Sequence, residues 1–263
     1  MYFQMNNGLF YLLFCFLINN CGFSQGSKTY AVVVGISDYK SLNYTNGDLR
    51  YADKDAQKFV SFLKSKQGGA IFTTDMVVLL NEDATKENII KSLLSFEKAK
   101  SNDKIWFYFS GHGIVDGLVP YDAAANHYST ILTYTEIKKA FKASLASTKI
   151  CIADACHTGS MQPKSNKSNN TNTKNDNFNM NIAMILSSRS SQNAVENFAA
   201  RGGVFTYFLL KGLYGYADFD KNKSITIKEL FQYVSPKVKK NTPNRQSPVF
   251  IGKFSDSLVM SQF

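Results

Sequence analysis

Six short runs in this chain are apolar at nearly every position: YAVVVGI (Tyr30 to Ile36), MVVLL (Met76 to Leu80), KIWFYFS (Lys104 to Ser110), KICIAD (Lys149 to Asp154), IAMILS (Ile182 to Ser187) and PVFIG (Pro248 to Gly252). A half-buried strand alternates polar and apolar residues, so runs without alternation predict strands covered on both faces. Helical patterns separate them. In Asp48 to Ser65, the residues Leu49, Ala52, Ala56, Phe59, Val60 and Leu63 fall along one helical face. The stretches Thr85 to Lys100, Thr133 to Ser144, Val204 to Tyr214 and Ile227 to Val234 read the same way. Thr85 with Asn88 and Thr133 with Glu136 mark helix starts, the second as a capping box. Strand and helix in alternation give an α/β fold, a mainly parallel sheet with helices on its faces.

The 263 residues are 44% hydrophobic and 19% charged, which suits one folded core and excludes a disordered chain. The formal charge of +10 comes almost wholly from lysine, since arginine occurs only at Arg50, Arg189, Arg201 and Arg245. Readers of bases and phosphates rely on arginine forks, so no specific nucleic-acid partner is expected. The run Gly8 to Ile18 has the length of a signal-peptide core, and the polar NNCGFSQG follows it, although no Lys or Arg precedes it. Residues 1–25 are accordingly read as a signal peptide and the protein as exported. Membrane contact is expected only if that segment is retained or lipidated on Cys21. Cys15 and Cys21 leave with the signal. Cys151 and Cys156 lie too far apart along one extended strand to form a disulfide with each other.

Two stretches carry the chemistry. YFSGHGIVDG puts His112 just past one buried strand, and IADACHTG puts Cys156 just past another. Ligand sites of parallel sheets form at the carboxyl ends of strands. If the two strands are neighbours, the imidazole meets the thiol there and draws off its proton, giving a nucleophilic thiolate. The amides of Gly113 and Cys156 are then placed to hold a developing oxyanion. His157, beside the nucleophile, is read as a loop or helix-start residue. His112, His127 and His157 make no recognised zinc spacing with Cys151 and Cys156.

SGHG and DACHTG, each after an apolar strand, resemble the caspase-like cysteine peptidases, and most closely their metacaspase and bacterial branch. YAVVVGISDY, LRYADKDA, GGVFTYFLLKGLYGYAD and QSPVF add to the resemblance, which runs from about Lys28 to Gly252. It implies a caspase-like three-layer sandwich over residues 28–254, with a six-stranded, mainly parallel sheet and helices on both faces. It also implies a dyad of His112 as base and Cys156 as nucleophile, with no cofactor required. An acid, Asp154, stands two residues before Cys156, and Asp55 in LRYADKDA matches a second acid of that branch, with Asp53 as the alternative. Two carboxylates lining the primary pocket would attract a basic side chain and repel an acidic one. Protein or peptide substrates cut after Arg or Lys, by a monomer, are the expectation.

The asparagine-rich residues 161–181 cannot bury themselves. They are read as a surface insertion or as a processing linker cut at Lys164, Lys167 or Lys174. In ADFDKNKSITIKEL, the residues Asp218, Asp220, Asn222, Ser224, Thr226 and Glu229 follow the spacing of a calcium-binding EF-hand loop, although Lys223 stands where that loop needs glycine. Calcium is therefore one reading of this stretch and an acidic turn before a helix is the other. A catalytically silent binding or scaffold module, and a cysteine hydrolase acting on a non-peptide substrate, are the rival functions.

Overall fold

Along the chain run β1 (Thr29–Gly35), α1 (Ala52–Lys64), β2 (Met76–Leu80), α2 (Lys86–Leu93) and β3 (Lys104–Ser110). The short strands β4 (Gly113–Ile114), β5 (Gly117–Leu118) and β6 (Leu132–Thr133) precede α3 (Tyr134–Ala143) and β7 (Thr148–Asp154). The last part holds β8 (Ile182–Leu186), β9 (Glu196–Asn197), β10 (Gly202–Gly203), α4 (Val204–Lys211), β11 (Ser224–Thr226), α5 (Ile227–Asn241), β12 (Val249–Ile251) and β13 (Val259–Gln262). This computed structural model describes residues 26–41, 47–114, 116–124, 127–155, 182–187, 196–197, 202–242, 246–252 and 254–263. The six predicted apolar runs are the six strands of one sheet, ordered β12-β8-β7-β3-β1-β2. All neighbours are parallel except β12, which lies antiparallel to β8 at one edge.

The two-residue period of the strands sorts side chains between two cores. Val33, Trp106, Tyr108, Ile150 and Ile152 face the helices α1, α4 and α5. Val34, Phe107, Phe109, Cys151 and Ala153 face α2 and α3. Both faces are covered, as continuous apolar strands require. Burial pushes the Cys151 thiol up to about 12, so this cysteine is an inert core residue. An aromatic cluster locks α1 onto the sheet: Phe59 stacks on Tyr108 with ring centres 4.3 Å apart and also touches Phe62 and Trp106. Gly35 permits this approach, because a Cβ there would strike Ala56 and lie 2.7 Å from the Ala52 carbonyl.

Helix boundaries differ from the sequence reading in places. The Thr85 to Lys100 stretch forms α2 and then a 3-10 segment, Leu94–Lys98. The α4 helix ends at Lys211 and passes into a π turn, Gly212–Tyr216, where Gly215 takes a φ of 114°. Helix α5 runs beyond Val234 to Asn241, straight through Pro236. Burial of Tyr233, Val234 and Val238 outweighs the one hydrogen bond that a proline removes. The core also continues past residue 254, the limit read from sequence: β13 pairs with β11 and buries Met260.

One buried cation is structural. Lys149, on β7, is 9% exposed and donates to the carbonyls of Phe141 (2.8 Å) and Ser144 (2.7 Å), ending α3. Lys149→Met leaves both carbonyls without this donor. It is expected to lower unfolding free energy by about 2 kcal/mol, read by urea denaturation.

Candidate active site

The carboxyl ends of β1, β3 and β7 lie side by side, with Gly35 opposite Ser110 and Ser110 opposite Asp154. Asp154 ends β7 at this edge, His112 and Gly113 follow β3 beyond it, and Asp55 is brought to Asp154 from α1. Immediately after β3 the Gly111 amide donates to the Asp154 carbonyl at 3.2 Å, tying the two chain turns together. His112 follows, half-buried, with its backbone N–H donating to Tyr39 Oη at 2.6 Å and its ring tilted against the Tyr39 ring. A Cβ on Gly111 would lie 2.6 Å from that hydroxyl, so the glycine before His112 makes room for Tyr39. The His112 Nε2 is hydrogen-bonded to the Gly47 carbonyl. A carbonyl oxygen only accepts, so Nε2 carries the proton and Nδ1 is left as the basic nitrogen. Gly113 opens β4, paired with Leu118 of β5.

Cys156 and His157 lie outside the described residues, as do Lys164, Lys167 and Lys174. The chain is described up to Ala155. There the buried Ser187 holds it from both sides, accepting from the Ala155 amide and donating to its carbonyl, each at 3.2 Å. Sequence reading took Ser187 only as the end of a strand, and missed Tyr39 as well.

The two acids meet. On α1 the buried positions are Ala52, Asp55, Ala56, Phe59, Phe62 and Leu63, so Asp55 falls on the apolar stripe of its helix. On β7 the period of two puts Asp154 on the same side as Ile150 and Ile152, facing α1 and α4. Asp55 is 2% exposed and Asp154 5%. Asp154 Oδ2 accepts from Thr206 Oγ1 at 2.8 Å, and that hydroxyl shares a 2.7 Å hydrogen bond with Tyr108 Oη. Asp55 Oδ2 accepts from the Gly203 amide at 2.5 Å, and Oδ1 pairs with Lys58 Nζ at 3.0 Å. Asp53, the alternative acid, points elsewhere: its Oδ1 accepts from Ser37 Oγ at 2.6 Å.

The backbone of β10 forms the wall between the acids. A Cβ on Gly203 would sit 2.6 Å from Asp154 Oδ2 and 3.1 Å from Asp55 Oδ2. The Cβ position of Gly203 is thus flanked by two buried carboxylates. Burial, and then the negative charge of Asp154, push the Asp55 carboxyl up to about 7, against the lowering effects of the Gly203 amide and Lys58. Burial and the same two acids hold the Tyr108 phenol well above its usual range. Gly202, Gly203, Thr206 and Lys58 were not identified from the sequence as site residues. The signal for the first two was the GG pair itself, placed just before an apolar helix.

The predicted calcium loop lies away from this edge. Asp218, Asp220 and Glu229 each present an oxygen within 4.8 Å of the others. Protein donors already engage them. Asp218 and Asp220 accept from the amides of Asn222 and Lys223, and Glu229 accepts from Thr226 and Phe219. The Asn222 side-chain carbonyl accepts from the Ser224 amide, and Thr226 caps α5. Lys223 takes a φ of 64°, the left-handed turn that sequence reading reserved for glycine.

The family model for the caspase domain matches residues 28–259. The chain belongs to the caspase-domain family. Among its relatives, a protein described as a "Probable protease" from a Desulfuromonadales bacterium is 26% identical over 152 residues, 49% of this chain and 18% of that protein. Metacaspase-1 of the yeast Meyerozyma guilliermondii is 34% identical over 104 residues, 36% of this chain and 23% of that protein. This caspase-family chain therefore spans about a fifth of the length of these curated relatives. A Geobacter sulfurreducens protein of known crystal structure has the same fold, with a TM-score of 0.61 at 17% identity, over 87% of this chain and 94% of its own. Among the described residues no helix is long and apolar enough to cross a membrane. The Gly8 to Ile18 run is outside them.

Proposed function

We propose that this caspase-family chain is a cysteine endopeptidase that cleaves after arginine or lysine, with His112 as general base and Cys156 as nucleophile. The observation that carries the basic preference is the pair of buried carboxylates, Asp55 and Asp154, on either side of one point beside Gly203. Asp55 pairs with the half-exposed Lys58 ammonium, and the ammonium or guanidinium of a substrate would add a second positive charge between the two acids. An aspartate side chain would add a third negative charge. The dyad is supported by the family and by the turn at His112, where the protonated Nε2 turned to Gly47 leaves Nδ1 as base. His112 Nδ1 would take the Cys156 proton. The thiolate would add to the scissile carbonyl, and the protonated His112 would return the proton to the leaving amine. The amides of Gly113 and Cys156 would hold the oxyanion.

The test is hydrolysis by the full chain of matched fluorogenic peptides ending in Arg, Lys or Asp, with and without calcium. Cleavage after Arg and Lys is expected, and Cys156→Ala or His112→Ala should each lower kcat by on the order of 10^4. Thiol labelling of the same samples should find a fast site that is lost in Cys156→Ala, whereas Cys151 stays unlabelled because it is buried and its thiol pushed up to about 12. Cleavage only after Asp would overturn the pocket. Cleavage that survives Cys156→Ala would overturn the nucleophile. A change with calcium would reopen the Asp218 to Glu229 loop as a metal site, and its cleanest probe is Asp220→Ala.

A further inference from the structure

The two carboxylates of the pocket are held in different ways. Asp154 Oδ2 has a buried hydroxyl donor in Thr206, and Asp55 Oδ2 has the backbone amide of Gly203. Asp55 Oδ1 instead pairs with an ammonium, Lys58 Nζ, one helical turn along α1. The two ends of that pair differ sharply in exposure: the Asp55 side chain is 3% exposed and the Lys58 side chain 40%. The pair lies directly behind β10. A Cβ on Gly202 would strike Asp55 Oδ1 and lie 2.6 Å from Lys58 Nζ, while one on Gly203 would lie between the two acids. Lys58 therefore reaches the pocket from the solvent side and contacts the same carboxylate that a substrate cation would contact.

We propose that Lys58 is an internal counter-ion of the acidic pocket, which holds Asp55 until the basic side chain of a substrate displaces it. The inference rests on the reading of Asp55 and Asp154 as the primary pocket. Displacement is possible because the Lys58 ammonium, its side chain 40% exposed on a flexible stem, regains hydration when it swings outward. The groups that face Asp55 come from every element around it. They are Lys58 from α1, Asp154 from β7, Tyr108 from β3 and the Gly203 amide from β10, with Thr206 of α4 reaching it through Asp154. Among these described groups Lys58 is the cation. It thus acts in two opposing ways: it helps Asp55 lose its proton, and it competes for the charge that results. Which effect dominates depends on pH. Below about 7 the first governs, because substrate binding needs an ionised Asp55. Above it the second governs, because Asp55 is ionised in any case.

Lys58→Met and Lys58→Arg in the full chain, assayed with an arginine-ending peptide at pH 6 and pH 8.5, separate this role from a surface ion pair. Lys58→Met should improve kcat/KM about five-fold at pH 8.5 and worsen it about five-fold at pH 6, both through KM, so that its profile crosses the wild-type one. Lys58→Arg, which keeps the cation, should follow the wild type. Calorimetric binding of benzamidine to Cys156→Ala, with and without Lys58→Met, should show the same crossing without turnover. Parallel profiles, or a loss in kcat alone, would overturn the proposal. Asp154→Asn is the control for the underlying reading: if it leaves benzamidine affinity unchanged, the pocket assignment fails, whatever Lys58 does.

Discussion

Asp154→Asn is expected to lower kcat/KM for arginine- and lysine-ending peptides by a factor of about 10^2 to 10^3, the loss that follows when one partner of a buried charge contact is removed. Asparagine keeps an oxygen to accept from Thr206 Oγ1, which holds Asp154 at 2.8 Å, so the Tyr108–Thr206 chain of hydrogen bonds survives. The fold should survive with it. Most of the loss should appear in KM, because in the proposed pocket the side chain would touch the substrate's cation and not its reacting carbonyl. Gly203→Ala offers an independent approach to the same point, since it keeps both acids in the chain but its methyl group, built 2.6 Å from Asp154 Oδ2 and 3.1 Å from Asp55 Oδ2, must push them aside. A comparable loss from both variants would locate the pocket between Asp55, Asp154 and the β10 backbone. Unchanged kinetics in Asp154→Asn would send the basic-residue preference elsewhere.

The second large effect concerns stability and has a definite sign. In the unfolded chain Asp55 titrates near 3.8, and in the folded protein burial and Asp154 carry it up to about 7. Between those values the folded state holds a proton that the unfolded state lacks. Stability therefore falls as pH rises through that window. The displacement corresponds to an upper bound of about 4 kcal/mol, and the half-exposed Lys58 beside it argues for less. Urea unfolding at pH 5 and pH 8 should show the wild type losing more stability than Asp55→Asn, which keeps an acceptor for the Gly203 amide but cannot ionise. Benzamidine at pH 8 should restore part of the loss, because it would add a positive charge between the two acids. Equal losses in the two proteins would mean that Asp55 is ionised throughout.

Much of this molecule was legible in its sequence. The unbroken apolar runs called for strands covered on both faces, and each became a strand of the central sheet. Thr133 with Glu136 called for a helix start, and the pair forms the capping box of α3. Such features are local: a strand period or a cap involves residues close along the chain, and their chemistry shows in the letters. Asp55 was legible only through the resemblance of LRYADKDA to the family, and the structure then placed it on the buried stripe of α1.

What the letters did not contain was how separate segments meet. That Gly202 and Gly203 pack against Asp55 and Asp154, that Tyr39 receives the His112 amide, and that Ser187 grips Ala155 all depend on contacts between segments distant in sequence. None of these residue types carries a signature of its own. A glycine declares its purpose only when the neighbouring atoms leave no room for a Cβ, and a serine only when the amide it holds is known. The same is true of the ends of α4 and α5, where Gly212 packs against Leu230 and Tyr233 of α5 and burial of Val234 and Val238 carries α5 through Pro236. Sequence alone determined which elements form and which residues have the chemistry for a site. Tertiary structure decided which carboxylates share a space and what lines it, because burial and like-charge proximity are properties of the assembled fold and not of any one segment.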